Sequence, residues 1–203
     1  MNDPVQSLAE IRSMMERSSR FLSLSGLSGI FAGIFALMGA AVAYGLTKDL
    51  RRGVGAEGMT WSEAVPWLML DAAVVLVLAL GSGIYFTNRR ALRSGQRVWN
   101  ATSRRFLINL AIPLATGGAF CFLLLHYGAA ILVAPTMLIF YGLSLLNASK
   151  FTLDEIRYLG ISEVLLGLLA GIFAGWGLLF WSLGFGVLHI VYGALMYHKY
   201  ERA

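Results

Sequence analysis

The chain has 203 residues, 58% of them hydrophobic and only 13% charged, with a mean hydropathy of +0.70. A soluble domain of this size carries about a quarter charged residues, so the composition excludes a soluble enzyme or a membrane anchor with a catalytic head. The net charge of +5 is spread between apolar runs and is no signature of nucleic-acid binding, and the single cysteine, Cys121, excludes an intrachain disulfide.

Residues 1–22 form a cytoplasmic amphipathic segment in this reading. Leu8, Ile11, Met15 and Leu22 share one helical face, while Arg12, Glu16 and Arg20 step along another. Ser7-Leu8-Ala9-Glu10 has the form of a capping box, in which Ser7 and Glu10 satisfy each other's free backbone amides. The spacing predicts a helix over Ser7–Arg20 lying on the inner membrane surface.

Residues 23–203 then form a single transmembrane domain. Six apolar stretches follow: Leu22–Leu46, Val65–Asn88, Phe106–His126, Ala129–Asn147, Ile161–Ser182 and Leu183–His198. Each approaches the ~20 residues that a helix needs to cross a bilayer, the last being the shortest. The first run is too long, and its polar leader too extended, for a cleaved signal, so it is read as a permanent span. The expected fold class is all-α: a polytopic membrane protein of six transmembrane helices in three hairpins, plus the N-terminal interfacial helix.

Charge sets the expected orientation. With the N-terminus inside, thirteen of the sixteen Lys and Arg residues fall on inner segments, and only Lys48, Arg51 and Arg52 fall outside. Both termini are therefore expected in the cytoplasm of a bacterial cell, with the domain in the cytoplasmic membrane. Trp61, Trp67, Tyr127, Trp176 and Trp181 near the outer ends, and Trp99, Tyr158, Tyr197 and Tyr200 near the inner ends, agree with an interfacial belt. The loop between the second and third spans carries Arg89, Arg90, Arg93, Arg97, Arg104 and Arg105 without an acid. These six arginines are expected to rest on anionic lipid.

Short words recur along the chain. Ser7-Leu-Ala-Glu-Ile-Arg12 matches Thr152-Leu-Asp-Glu-Ile-Arg157, predicting a second capping box at Thr152 and Glu155. Gly29-Ile-Phe-Ala-Gly33 recurs as Gly171-Ile-Phe-Ala-Gly175. A parallel repeat of three hairpins accounts for this, and small-residue rows let helix backbones approach closely. The expected contact joins the first and fifth spans through Gly29, Gly33, Gly171 and Gly175; a homo-oligomer interface is the other use for such rows.

The hairpins, with Leu169-Ala-Gly-Ile-Phe-Ala-Gly-Trp-Gly177 and Gly184-Phe-Gly-Val-Leu-His-Ile-Val-Tyr-Gly193, resemble small six-span bacterial inner-membrane proteins and are loosely similar to the acid-stress membrane protein family. The resemblance is one of architecture, covers the spans alone and implies no catalytic site. Gly26-Leu27-Ser28-Gly29 also resembles the Gly-x-Ser-Gly of rhomboid intramembrane proteases, with His189 standing as base to Ser28. The serine lies in the first span rather than the fourth, and the second span lacks the histidine–asparagine pair of those enzymes.

Ionisable residues inside a membrane are expensive and are default site candidates. Asp71 and His189 lie at similar depth in the outer half, and their meeting would make a proton-sensitive site. Glu163, just inside the inner end of the fifth span, is expected to pair with an inner arginine. Pro113 and Pro135 free the carbonyls of Asn109 and Ile131 and are expected to bend their spans. Asn109 and Tyr141 would lend polarity to any cavity beside such bends. His126, His189 and His198 lie at different depths, so neither a metal nor another cofactor is expected. The expected function is a non-enzymatic, stress-associated or small-molecule-binding bundle; the alternatives are a transporter or channel for a small solute, ion or proton, and a serine hydrolase using Ser28 and His189.

Overall fold

A computed structural model describes residues 24–52, 60–93, 95 and 99–202; the Ser7–Arg20 helix lies outside the described residues. Among those described, the chain is helical throughout and contains no strand. The helices are α1 (Gly26–Arg52), α2 (Trp61–Arg93), α3 (Ala101–His126), α4 (Val133–Ala148), α5 (Asp154–Ile172), α6 (Gly177–Trp181) and α7 (His189–Tyr200). A π-helical stretch, Ser182–Leu188, joins α6 to α7 without leaving the helical region. Five segments are long and apolar enough to cross a membrane: Gly26–Lys48, Trp61–Arg93, Ala101–His126, Ala130–Phe151 and Ala174–Tyr200. This is the make-up of an integral membrane protein. The exception, α5, carries Asp154, Glu155, Arg157 and Glu163 in 19 residues.

Local chemistry explains where the helices start. Asn100 caps α3: its side-chain oxygen accepts the Ser103 amide at 2.8 Å, and Ser103 Oγ accepts the Asn100 amide at 2.9 Å. At α2, Glu63 reaches back to accept the Thr60 amide at 2.7 Å. The capping box expected at α5 does not form. Its cap position is Leu153, without a side-chain cap, and Glu155 reaches across to α7. Pro135 sits in the first turn of α4, where a missing N–H costs little, so it does not interrupt the helix interior as expected. Pro113 does lie inside α3. The carbonyl it frees, Asn109 O, accepts a hydrogen bond from the Asn147 side-chain amide of α4 at 3.0 Å.

The fifth and sixth spans divide ten residues earlier than the sequence predicts. α5 ends at Ile172, and the final helical run starts at Gly177, not Leu183. The turn between them is Phe173-Ala-Gly-Trp176, which has no polar residue to mark it. The word Gly171-Ile-Phe-Ala-Gly175 is therefore largely this turn and not a packing ridge. A side chain at Gly175 would meet open space, and one at Gly171 would only graze Pro135 at 4.0 Å. The expected seam between the first and fifth spans does not exist.

Two other glycine seams hold the bundle together. In the first, α1 packs on α7 and the π-helical stretch. A Cβ at Gly193 would lie 2.7 Å from both Gly26 O and Ile30 N, and one at Gly33 would lie 2.6 Å from Gly186 O. In the second, α4 packs on α5. A Cβ at Gly142 would lie 2.6 Å from Gly160 O, and one at Gly167 would lie 2.9 Å from Ile139 N. Lipid gives helices no hydrophobic reason to associate, so backbone proximity supplies the contact instead. α2 packs on α1, and α3 packs on α4. The hairpins α1–α2 and α3–α4 are thus present, but the third departs from the pattern: α7 has its main partner in α1, and α5 in α4.

One end of the bundle is tied by charge. Glu201, just past α7, accepts hydrogen bonds from Ser25 Oγ at 3.0 Å and from the Gly26 amide at the start of α1. Arg90 of α2 lies 3.5 Å from Glu201 and donates to the Leu24 and Tyr200 carbonyls. A carboxylate at a helix N-terminus meets the positive end of its dipole. Arg90 therefore belongs to this clasp and not with the arginines expected on lipid; Arg89, Arg93, Arg104 and Arg105 are exposed, and Arg97 lies outside the described residues.

Candidate functional site

Two buried ionisable residues, Glu163 of α5 and His189 of α7, meet inside the bundle. The Glu163 side chain is fully buried, and neither carboxylate oxygen has a hydrogen-bond partner among the described residues. Oε1 lies 3.5 Å from Nδ1 of His189, the first residue of α7. Gly184, in the π-helical stretch, makes room for it: a Cβ there would overlap Oε2 and come within 2.5 Å of the Leu138 side chain. Single π-helical turns inside α-helices occur often at functional sites. Here the widened turn sets a glycine against the carboxylate and carries His189 to its other side.

The histidine is held by two hydrogen bonds. Nδ1 lies 3.0 Å from the Gly184 carbonyl, which can only accept, so Nδ1 carries a hydrogen. Nε2 lies 2.7 Å from the Tyr141 hydroxyl of α4 and accepts from it in the neutral ring. Tyr141 and Phe185 flank the imidazole, with ring centroids at 5.3 and 5.9 Å. Among the described residues, the titratable groups facing Glu163 are His189 and Tyr141.

An ionised carboxylate without donors in an apolar interior is costly, and so is a lone imidazolium. One proton held by Glu163 and His189 together leaves the pair neutral, as an acid beside a neutral ring or as an ion pair. With Nδ1–H on the Gly184 carbonyl, a proton gained by the ring enters at Nε2, where the Tyr141 hydroxyl then turns to accept it, while a proton gained by the carboxyl stays on Glu163. The pair can take up or release a proton.

The sequence-derived candidates part company here. His189 and Tyr141 belong to the cluster, and so does Glu163, whose neighbour is this histidine and not an inner arginine. Asp71 does not belong. Its carboxylate lies between α1 and α2, where a Cβ on Gly39 would be 3.4 Å away, and no hydrogen bond or ion pair joins it to His189. Counting along the spans placed the two residues level, but in the structure they face different neighbours. Asn109 is also absent; its amide donates to the Arg105 carbonyl at 2.8 Å. Ser28 Oγ donates to Ser25 O, while both ring nitrogens of His189 are engaged elsewhere, so a serine–histidine hydrolase pair is not formed. Among the described residues no cluster of three or more His, Cys, Asp or Glu is placed to hold a metal.

At the arginine-bearing end, Glu155 accepts from Lys199 Nζ at 2.7 Å and from the Tyr200 hydroxyl at 3.1 Å. Burial pushes the Glu155 carboxyl up, but the bonds from Lys199, its own backbone and Tyr200, with the lysine's charge, outweigh burial and leave it below its ordinary value. This ties α5 to α7 and is structural.

No protein-family model matches the chain, and no curated protein or solved structure matches it either. The functional reading therefore rests on the geometry of Glu163, His189 and Tyr141.

Proposed function

We propose that this is a six-span membrane protein with an intramembrane proton-binding centre at Glu163 and His189, working in proton-coupled movement of a small solute. The sixth crossing is α5, whose charges at residues 154, 155 and 157 lie at its first turn and leave Glu163 as its one acid in the apolar part. The arginine-bearing end faces the cytoplasm of a bacterial cell, with the 1–22 segment and Arg89, Arg93, Arg97, Arg104 and Arg105 on anionic headgroups. The observation that carries this reading is the fully buried carboxylate without a hydrogen bond, 3.5 Å from an imidazole. A purely structural bundle has no use for such a group, because an apolar side chain of similar size packs at lower cost. Proton-coupled systems need one, since a site that switches between proton-bound and proton-free forms must sit where charge is expensive.

The second reading, a small-molecule-binding bundle without transport, is favoured by the close glycine seams, which leave little freedom for the helices to slide. Infrared difference spectroscopy of the protein in lipid nanodiscs, recorded across a pH series, tests the proton centre. A carbonyl band of a buried acid should change with pH, disappear in Glu163→Gln and shift in His189→Gln. A band that survives in Glu163→Gln, or no pH-dependent carboxyl band at all, sinks the reading.

A further inference from the structure

A groove lies between α1 and α6 at the end of the bundle opposite Arg90 and Glu201. Its volume is about 610 Å³, and it is open on one side. Its α1 wall uses Leu37, Ala41, Tyr44 and Lys48, spaced at i, i+4, i+7 and i+11 along one helical face. At 1.5 Å per residue that face runs roughly 16 Å, about half of a ~30 Å hydrocarbon core. The groove therefore reaches from the headgroup level to the midplane, the depth of one leaflet. Its floor is apolar and its walls recede at small residues. Its mouth carries Lys48, Tyr44 and Trp176, all exposed. Lys48 has no acidic partner among the described residues.

We propose that this groove binds an anionic phospholipid of the adjoining leaflet, with one acyl chain along Leu37 and Ala41 and the phosphate on Lys48. A tail leaving the bilayer for an apolar groove gains nothing from the hydrophobic effect, because both surroundings are apolar. Selectivity must then come from the mouth, where an ammonium favours a phosphate that carries net negative charge. Tyr44 and Trp176 beside it are the side chains that sit best at headgroup level. The apolar length matches a chain, and the charge sits at the one end where a headgroup would be.

Trp176 lets the site be read directly. The protein is reconstituted in phosphatidylcholine vesicles containing a minor fraction of either brominated phosphatidylglycerol or brominated phosphatidylcholine, and quenching of tryptophan fluorescence is compared. Phosphatidylglycerol should quench more strongly than phosphatidylcholine. That excess should vanish in Trp176→Phe, which assigns it to the groove rather than to the other four tryptophans. It should also vanish in Lys48→Gln and persist in Lys48→Arg. Circular dichroism confirms that each variant remains helical. Equal quenching by the two lipids, or an excess unchanged in Lys48→Gln, overturns the proposal. Stronger quenching by a brominated free fatty acid than by phosphatidylglycerol overturns the phospholipid assignment. Glu163 is intact throughout, so failure here is separate from failure of the proton centre.

Discussion

Helices α2 and α5 are opposites. α2 is the most apolar of the candidate spans, yet of its 33 residues Ala64, Thr87 and Ala91 alone are buried. Val77, Leu80 and Ile84 all stand exposed on it. α5 is too charged to register as a span by composition, yet it buries Gly160, Glu163, Gly167 and Ala170 against its neighbours. In water the apolar helix would be the core. In lipid the order inverts, because apolar side chains are already at home outside and small or polar ones gain most from a neighbour. The interior of this protein accordingly holds Ser144, Thr152, Glu163, His189 and the seam glycines beside large apolar side chains such as Leu138, Leu145, Ile156 and Leu159.

That inversion can be broken most forcefully at a glycine. Gly193→Leu places a side chain where Gly26 O and Ile30 N already stand, and should cost about 3 kcal/mol or more. Gly83→Leu on α2 meets open space and should leave stability unchanged. Unfolding by a denaturing detergent compares the two; equal losses would mean that α2 is packed in a way the structure does not show.

A smaller effect of opposite sign belongs to the site. Glu163→Met removes a buried carboxyl without a hydrogen bond and should stabilise the fold by about 2 kcal/mol while abolishing proton binding. A variant less stable than the parent would show that Glu163 has donors in the membrane that its surroundings here lack.

The third test concerns the proline of α3. Asn147→Ala should cost about 1 kcal/mol by leaving the Asn109 carbonyl unsatisfied. Restoring the backbone donor with Pro113→Ala should erase that cost, since residue 113 would then bond Asn109 O within the helix. Additive losses in the double variant would separate the proline from the asparagine.

The smallest effect is a pH dependence. The Glu155 carboxyl lies below its ordinary value in the folded protein, so its contribution is full above the ordinary carboxylate range and fades as pH falls through the lowered value. The stability gap between the parent protein and Glu155→Gln should therefore be steady near neutrality and close in acid. Lys199 is mostly exposed, so water screens the pair and the gap is small. A gap that widens in acid would reverse the assignment.

Much of the fold was legible because bilayers impose length and sign: the first four spans and the clustering of arginine at one end both follow from the sequence. The turn at residues 173–176 was hidden, because an apolar glycine turn in a membrane protein needs no polar residue. The glycines announced close packing but not their partners, since a small-residue row is the same word on any helix; Gly29 and Gly33 found α7, not α5. Of the site, His189, Tyr141 and Glu163 were each visible as candidates. Their meeting was not, because it depends on how far each helix is rotated, which depth along a span does not report. The proline reading succeeded in half: the freed Asn109 carbonyl was predictable, and its rescue by Asn147 was not.

The clasp at Ser25 and Glu201 joins residues 176 positions apart, and the seam above it joins α1 to α7. Synthesis delivers α1 first. During biogenesis, then, α1 waits in the membrane with its glycine face uncovered and its leading amides uncapped until α7 arrives. In that interval anything that shields small-residue faces, such as an insertase or another helix, competes with α7 for the same surface. A ribosome stalled before α7 would leave an intermediate with two well-formed hairpins and an adhesive α1, so quality control of this protein should act on the exposed face of α1.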